Sequence, residues 1–275
     1  MKGSIPRISV LMAVFNTPEN YLEMAINSIL AQSFVDFEFL IVDDGSNALT
    51  KNKLEELASN DLRIRLLRLS KNKGLTVALN YGLKKARGEY IARQDADDIS
   101  APDRFSISLA YLDSNLSLAA AGTYVQQIGS KGELIAISHI EPDLRKLCRC
   151  NVLIHGSMFF RKKSLEMING YNEKFKLSQD YELYLRMIRI YRLQIGVIPH
   201  QLYALRYHAD SISSRRIFKQ LYFSVLAKFL TLPQISGRTS RLHFWGVFFV
   251  DLIITHRLLL SPILRNLLNF FKTIK

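Results

Sequence analysis

Ile91-Ala-Arg-Gln-Asp95-Ala-Asp97-Asp98 is the stretch on which the reading of this chain turns. Tyr90 to Ala92 is a short apolar run that reads as a strand end, and it leads directly into three carboxylates within four positions. Carboxylates held this close repel one another and resist burial. A hard cation with oxygen ligands relieves that repulsion and can hold a phosphate-bearing substrate at the same time. Taken alone, the segment fits a solvated Asp-rich turn better. The surrounding chain decides between the two.

Upstream, Ile8 to Val14 is a continuous apolar run of buried-strand length. Thr17-Pro18 then offers an N-cap and a first-turn proline for a helix with Leu22, Ala25, Ile26, Ile29 and Leu30 on one face. Phe37 to Val42 is a second strand, ending at Asp43-Asp44-Gly45-Ser46. A helix over Thr50 to Ala58, a strand over Ile64 to Leu69 and a helix opened by Gly74 follow. Strands alternating with helices imply right-handed crossovers, and so an α/β fold with a Rossmann-related, mostly parallel sheet flanked by helices. In such sheets ligands sit beyond the carboxyl ends of the strands. Phe15-Asn16, Asp43-Asp44 and Asp95 to Asp98 all leave strand ends there. Neither a G-x-G-x-x-G after the first strand nor a G-x-x-x-x-G-K-[ST] occurs, which disfavours a dinucleotide site or a P-loop.

Downstream of Leu116 the alternation weakens. Strands are expected over Leu118 to Ile128, Leu134 to Ser138, Gly156 to Arg161, Gln194 to Ile198 and Leu202 to Tyr207, with a helix over Gln179 to Ile190. This is α+β material built onto the same sheet. The division expected is residues 1–115 and 116–214 as two halves of one domain, followed by a basic amphipathic tail over 215–275.

The net charge of +13 is concentrated in that tail, where ten Lys and Arg stand against Asp251 alone. The apolar run Leu242 to Thr255 is interrupted by His243 and Asp251 and is too short to span a bilayer. Leu264, Leu267, Leu268 and Phe271 beside Arg265, Asn269 and Lys272 describe an amphipathic helical extension lying on a surface. The partner expected is an anionic membrane, with a second copy of the chain, giving a homodimer, as the alternative. No signal peptide is expected, because Met1-Lys2-Gly3-Ser4 runs straight into strand-like sequence. Cys148 and Cys150 are too close in sequence to bridge each other, so ordinary thiols in a reducing compartment are expected. The predicted location is cytoplasmic, peripheral on the inner face of the cell membrane.

In order and spacing the segments resemble the family-2 glycosyltransferases of GT-A fold. The matching pieces are Ile8 to Asn16, Ile29 to Phe34, Ile41 to Ser46, Asn72 to Leu75, Ala86 to Ile91, Asp95 to Asp98 and Pro102-Asp-Arg104, then Gly170-Tyr171, Ser178 to Leu183 and Arg206-Tyr-His208. The resemblance implies an inverting transferase that takes a sugar from a nucleotide-diphosphate donor, a UDP-sugar by default, and passes it to a glycan or lipid-linked acceptor. It implies surface polysaccharide synthesis and a divalent cation, Mn2+ or Mg2+. Asp97 matches the metal carboxylate of the D-x-D-type motif, with Asp98 a supporting partner and His208 a further metal ligand or a diphosphate contact. Asp95 matches a position near the donor ribose and Asp44 the carboxylate that reads the nucleobase. Ala13 and Phe15 lie along that base, while Arg206 and Lys73 are candidates for phosphate contact. Asp180, opening a helix after Lys176-Leu-Ser178, matches the general base. Gln179 stands where many relatives carry Glu.

Other classes fit less well. Charge alone suggests nucleic acid, but no helix-turn-helix outline, zinc spacing or RNP-like stretch accompanies it, so no nucleic-acid partner is expected. A nucleotidyltransferase would want a Gly-rich phosphate loop near the N-terminus. A non-catalytic scaffold would not need Asp44, Asp95, Asp97 and Asp180 together.

Overall fold

The computed structural model describes residues 5–138, 144–207 and 217–231. The first half alternates strands and helices: β1 (Ile8–Val14), α1 (Glu19–Leu30), β2 (Phe37–Asp43), α2 (Ala48–Ser59), β3 (Ile64–Arg68), α3 (Leu75–Lys85) and β4 (Tyr90–Gln94). Then come β5 (Ile99–Ser100), α4 (Arg104–Ser114), β6 (Leu118–Ile128), β7 (Leu134–Ser138), α5 (Leu144–Arg149), β8 (Phe159–Arg161) and α6 (Lys162–Met167). The last elements are α7 (Gln179–Leu185), β9 (Gln194–Arg206) and α8 (Ile217–Leu230). All strands join one sheet in the order β3-β2-β1-β4-β8-β6-β9-β5, with β7 paired to β6. β1 to β4 are mutually parallel, as are β6 and β9, and β8 runs antiparallel between the two sets. The fold is the mixed α/β one that the alternation predicts.

Strand pleating divides the core into two layers. Ile8, Val10, Met12 and Val14 pack with Phe39, Leu22, Ile26 and Phe105 on the α1/α4 side. Leu11 packs with Leu40, Ala78, Leu79, Phe160 and Tyr181 on the α3/α7 side. Ser9 is buried on that second side, where it donates to Glu38 at 2.7 Å and accepts from the Gly88 amide. Glu38 in turn pairs with Arg65 and Arg87.

Several expected boundaries shift for visible reasons. α1 begins at Glu19 with Pro18, not Thr17, at its N-cap, and no side chain caps it. The strands expected over Gln194 to Ile198 and Leu202 to Tyr207 are one strand, β9. Its register against β6 jumps from Thr123↔Ile198 to Tyr124↔Gln201, so Pro199 and His200 bulge out of the ladder. Gly156 to Arg161 is not all strand: His155–Ser157 forms a 3-10 turn before β8. A Cβ on Gly156 would stand 1.9 Å from the Tyr203 hydroxyl, so only glycine fits where this turn meets β9. The helix expected over Gln179 to Ile190 ends as α7 and widens into a π turn over Arg186–Ile190. There Arg186 pairs with Glu182 at 2.9 Å and donates to the carbonyls of Ile168 and Gly170. α4 is not announced by periodicity, since Phe105, Ile107 and Leu109 alternate as a strand would.

The first stretch of the basic tail packs on the domain. Ala227 of α8 is fully buried, Phe223 meets Phe175 with ring centroids 5.7 Å apart, and Ser178 Oγ donates to the Gln220 carbonyl at 3.0 Å. The remainder of the tail, with its aromatic and basic faces, lies outside the described residues. Among the described residues no helix is long and apolar enough to cross a membrane.

Candidate active site

The parallel strands deliver three loops to one edge. β1 and β4 are in register from Ile8↔Tyr90 to Met12↔Gln94, so Asp95 leaves the sheet beside Ala13. β1 and β2 align Val14 with Asp43, and the Asp44 amide donates to the Val14 carbonyl at 2.8 Å. Asn16, in a left-handed conformation at φ 51, ties the two loops together. Its amide donates to Ser46 Oγ at 3.2 Å, and its side-chain oxygen accepts from the Asn47 amide at 2.8 Å. Phe15 beside it is about half exposed (48 %), a flat apolar surface at the mouth of the edge. Ala13 is partly buried below.

Asp44 is buried, and both its oxygens accept backbone N–H groups, from Lys73 at 2.7 Å and Gly74 at 2.8 Å. It thus satisfies donors at the start of α3, where Gly74 is the N-cap at φ 94, a conformation that favours glycine. The carboxylate fixes the loop that carries Lys73, a residue largely exposed to solvent.

The acidic stretch after β4 resolves into three different environments. Asp98 is buried, with Oδ1 accepting from the Arg206 amide at 2.7 Å and Oδ2 from the Tyr203 hydroxyl at 2.8 Å. Burial pushes its carboxyl well up, and the charges of Asp97 and Asp95 push it further. Asp95 is partly buried and accepts from Arg93 Nη2 at 2.5 Å. Its carboxyl is raised by burial, opposed by Arg93. Asp97 is partly exposed at the head of the loop. Arg206 braces this loop: Nε donates to the Asp97 carbonyl at 2.8 Å, Nη1 donates to the carbonyls of Gly129 and Ser130, and the guanidinium lies 4.5 Å over the Tyr21 ring. His208 lies outside the described residues.

Beneath the loop lies a buried polar layer to whose residues the sequence reading gave no role. Arg104 donates to Gln94 Oε1, Ser100 Oγ and the carbonyls of Arg93 and Gly156, at 2.6–3.1 Å. Burial lowers its pKa to about 10. Arg93 also donates to the Leu11 carbonyl, and His155 Nε2 lies 2.8 Å from the Tyr171 hydroxyl. Burial drives the His155 pKa well down, so the ring is neutral. One signal was available for Arg93 and Gln94: two long polar side chains inside a central parallel strand need buried partners.

Asp180 reaches the same edge from the other half of the chain. α3 pins the preceding loop: Thr76 donates to the Phe175 carbonyl at 2.8 Å, and Asn80 exchanges hydrogen bonds with the Tyr171 backbone at 2.8 and 2.9 Å. Ser178, left-handed at φ 52, is the N-cap of α7 and shares a 2.9 Å hydroxyl contact with Ser224 of α8. Asp180 is therefore held in the first turn of α7, partly buried, accepting from Asn151 Nδ2 at 2.7 Å. Burial raises its pKa, opposed by the Tyr181 backbone N–H and by Asn151, while the charge of Asp95 raises it further.

Among the described residues no group of three His, Cys, Asp or Glu is disposed to cage a metal. The donor set still fits a hard divalent cation that takes one carboxylate from the protein and its other ligands from a diphosphate and water. Asp98 and Asp95 are engaged with Tyr203, Arg206 and Arg93, while Asp97 is partly exposed beside them.

The family model for glycosyl transferase family 2 matches residues 9–169, more than half of the chain. The chain belongs to glycosyltransferase family 2. This glycosyltransferase is 30% identical over 265 residues to an uncharacterized glycosyltransferase of Methanocaldococcus jannaschii, covering 94% of this chain and 90% of the relative. It is 33% identical over 186 residues to the O-antigen biosynthesis glycosyltransferase WbnJ of Escherichia coli, covering 66% of this chain and 71% of that protein. Its fold is similar to that of the mannosyltransferase PcManGT of Pyrobaculum calidifontis, solved in complex with GDP-Man and Mn2+. The TM-score is 0.64 at 17% identity, covering 82% of this chain and 65% of that one. The architecture of the glycosyltransferase is thus the GT-A one.

Proposed function

We propose that this glycosyltransferase inverts the configuration of a sugar as it moves it from a nucleotide-diphosphate donor to a glycan or lipid-linked acceptor in surface polysaccharide synthesis. The observation that carries the reading is the convergence, at one sheet edge, of the Asp95 to Asp98 loop with Asp180 from the opposite half of the domain. Phe15 and Ala13 line the nucleobase, in a pocket whose floor Asp44 frames. Asp95 faces the ribose. The Lys73 side chain reaches the diphosphate, and Arg206 supports that side of the site through the loop it braces. Asp97 and, by the family resemblance, His208 would hold a divalent cation. When bound, that cation neutralises charge growing on the leaving diphosphate.

Asp180 accepts the proton from the attacking acceptor hydroxyl. A carboxylate with a raised pKa is a better base than an ordinary aspartate, provided it is ionised at working pH. One base on one face, with the leaving group on the other, describes a single displacement, and hence inversion. The O-antigen role of the WbnJ relative supports a polysaccharide acceptor, and the Mn2+ of PcManGT supports the cation. The donor nucleotide is UDP by the family's usual habit, and GDP is the rival that PcManGT suggests.

Thermal melts with UDP, GDP, CDP and dTDP, each with and without manganese, test the reading. One nucleotide raises the melting temperature, and manganese enlarges the rise, because ligand that binds only the folded state stabilises it by mass action. Flat melts with all four nucleotides under both conditions overturn it.

The tail beyond α8 carries the protein to the cytoplasmic face of an anionic membrane. Each Lys or Arg near such a surface adds on the order of 1 kcal/mol, screened by salt. The full chain co-sediments with anionic vesicles at low salt and is released as salt rises. A chain that stays in the supernatant at low salt, and becomes monomeric from dimeric when the tail is cut, places the tail at a subunit interface instead.

A further inference from the structure

The loop between α5 and the 3-10 turn touches the proposed base directly. Asn151 Nδ2 donates to Asp180 Oδ2 at 2.7 Å, and Asn151 Oδ1 accepts from the Leu153 amide at 3.3 Å. The two contacts fix the orientation of the amide. Turned over, it would set its oxygen against a carboxylate and its NH2 against an N–H donor, both repulsive. Asn151 is itself exposed and makes no contribution to the core.

We propose that Asn151 is the positioning residue of the base: it holds one oxygen of Asp180 and so fixes the carboxylate in its ionised, proton-accepting form. This deepens the reading of Asp180 and rests on it.

The groups that face Asp180 make the role specific. Asp95 approaches from the loop after β4, Tyr171 from the loop after α6, and Tyr184 from α7 itself. Both tyrosines are buried, and burial raises their pKa values far enough to keep them neutral. Arg93 sits in the same buried layer and is paired with Asp95. Burial and Asp95 both push protons onto Asp180. The first-turn backbone of α7 and Asn151 oppose them. Among the described residues, Asn151 is the side chain whose hydrogen bond favours the ionised form.

The sign follows directly. A donor to the ionised carboxylate lowers its pKa, so removing the donor raises it. Asn151→Ala moves the Asp180 titration up by about one pH unit, the scale of one lost charge-assisted hydrogen bond. Asn151→Asp moves it further, because a second carboxylate adds repulsion. The experiment is a carboxyl titration of the full chain labelled with 13C at Asp Cγ, with the Asp180 resonance assigned by its loss in Asp180→Asn. Thermal melts of the variants check that the fold is kept, as the exposure of Asn151 leads one to expect. The expected order of midpoints is wild type, then Ala, then Asp. Coincident midpoints, or a downward shift in Asn151→Ala, overturn the proposal. The titration needs no donor or acceptor, so its failure is separate from failure of Asp180 as the base, which a transfer assay of Asp180→Asn decides.

Discussion

Asp180→Asn is expected to bind the donor nucleotide as the wild type does and to lose transfer by at least about a hundredfold, the scale of a missing general base. Asn keeps the shape and still offers an oxygen to Asn151, so the N-terminal turn of α7 stays in place. The loss therefore falls on turnover and not on KM for the donor. The pH dependence carries a second signature. Because burial raises the Asp180 pKa, the acid limb of the wild-type rate profile lies above the ordinary aspartate range, and activity rises as pH increases through it. In Asp180→Asn that limb disappears along with the rate. Donor binding that falls in step with turnover assigns Asp180 to the donor site, and near-normal transfer removes it from the mechanism.

The fold was legible where the chain follows the simplest rule, which is one apolar strand followed by one amphipathic helix. From Ile8 to Gln94 the expected elements match in kind and order, because the central strands β1 and β2 are buried almost throughout and announce themselves as mainly apolar runs. Legibility fell in the second half. β9 carries Pro199 in its middle, and a proline inside a strand argues for two strands until the bulge that accommodates it is seen. α4 was hidden because the side chain that anchors it, Arg104, is charged and faces inward.

The site shows the same division. The loops at the strand ends could be named from sequence, since topology alone sends them to one edge. How each carboxylate is held there could not. Composition and spacing do not separate Asp95, Asp97 and Asp98, and only the family resemblance gives them different roles; in the structure Asp98 is a buried brace for β9 and Asp95 is paired with Arg93. Their difference depends on Tyr203 and Arg206, more than a hundred residues away in sequence. Asn151 gave no sequence signal at all. A single exposed Asn in a loop takes its meaning only from the carboxylate it meets.

That division of labour within the acidic loop makes Asp97 the informative position. Asp97→Asn is expected to weaken manganese-dependent UDP binding by at least about a hundredfold. Losing a mere supporting partner of a metal ligand already costs about ten- to a hundredfold. Calorimetry with UDP, with and without manganese, measures the effect, and the metal-free affinity should barely change. The same substitution has an opposite consequence in the absence of metal. The Asp97 charge makes ionisation of both Asp95 and Asp98 harder, so removing it relieves repulsion within the loop. Removing it should leave the metal-free melting temperature equal or higher, while abolishing the extra rise that manganese and UDP give together. A brace would behave otherwise, with Asp97→Asn lowering the melting temperature under every condition. Equal affinity of mutant and wild type for UDP with manganese would take the cation away from Asp97 altogether. The two melts therefore separate a carboxylate kept for a ligand from one kept for the fold, within a loop that sets three carboxylates in four positions.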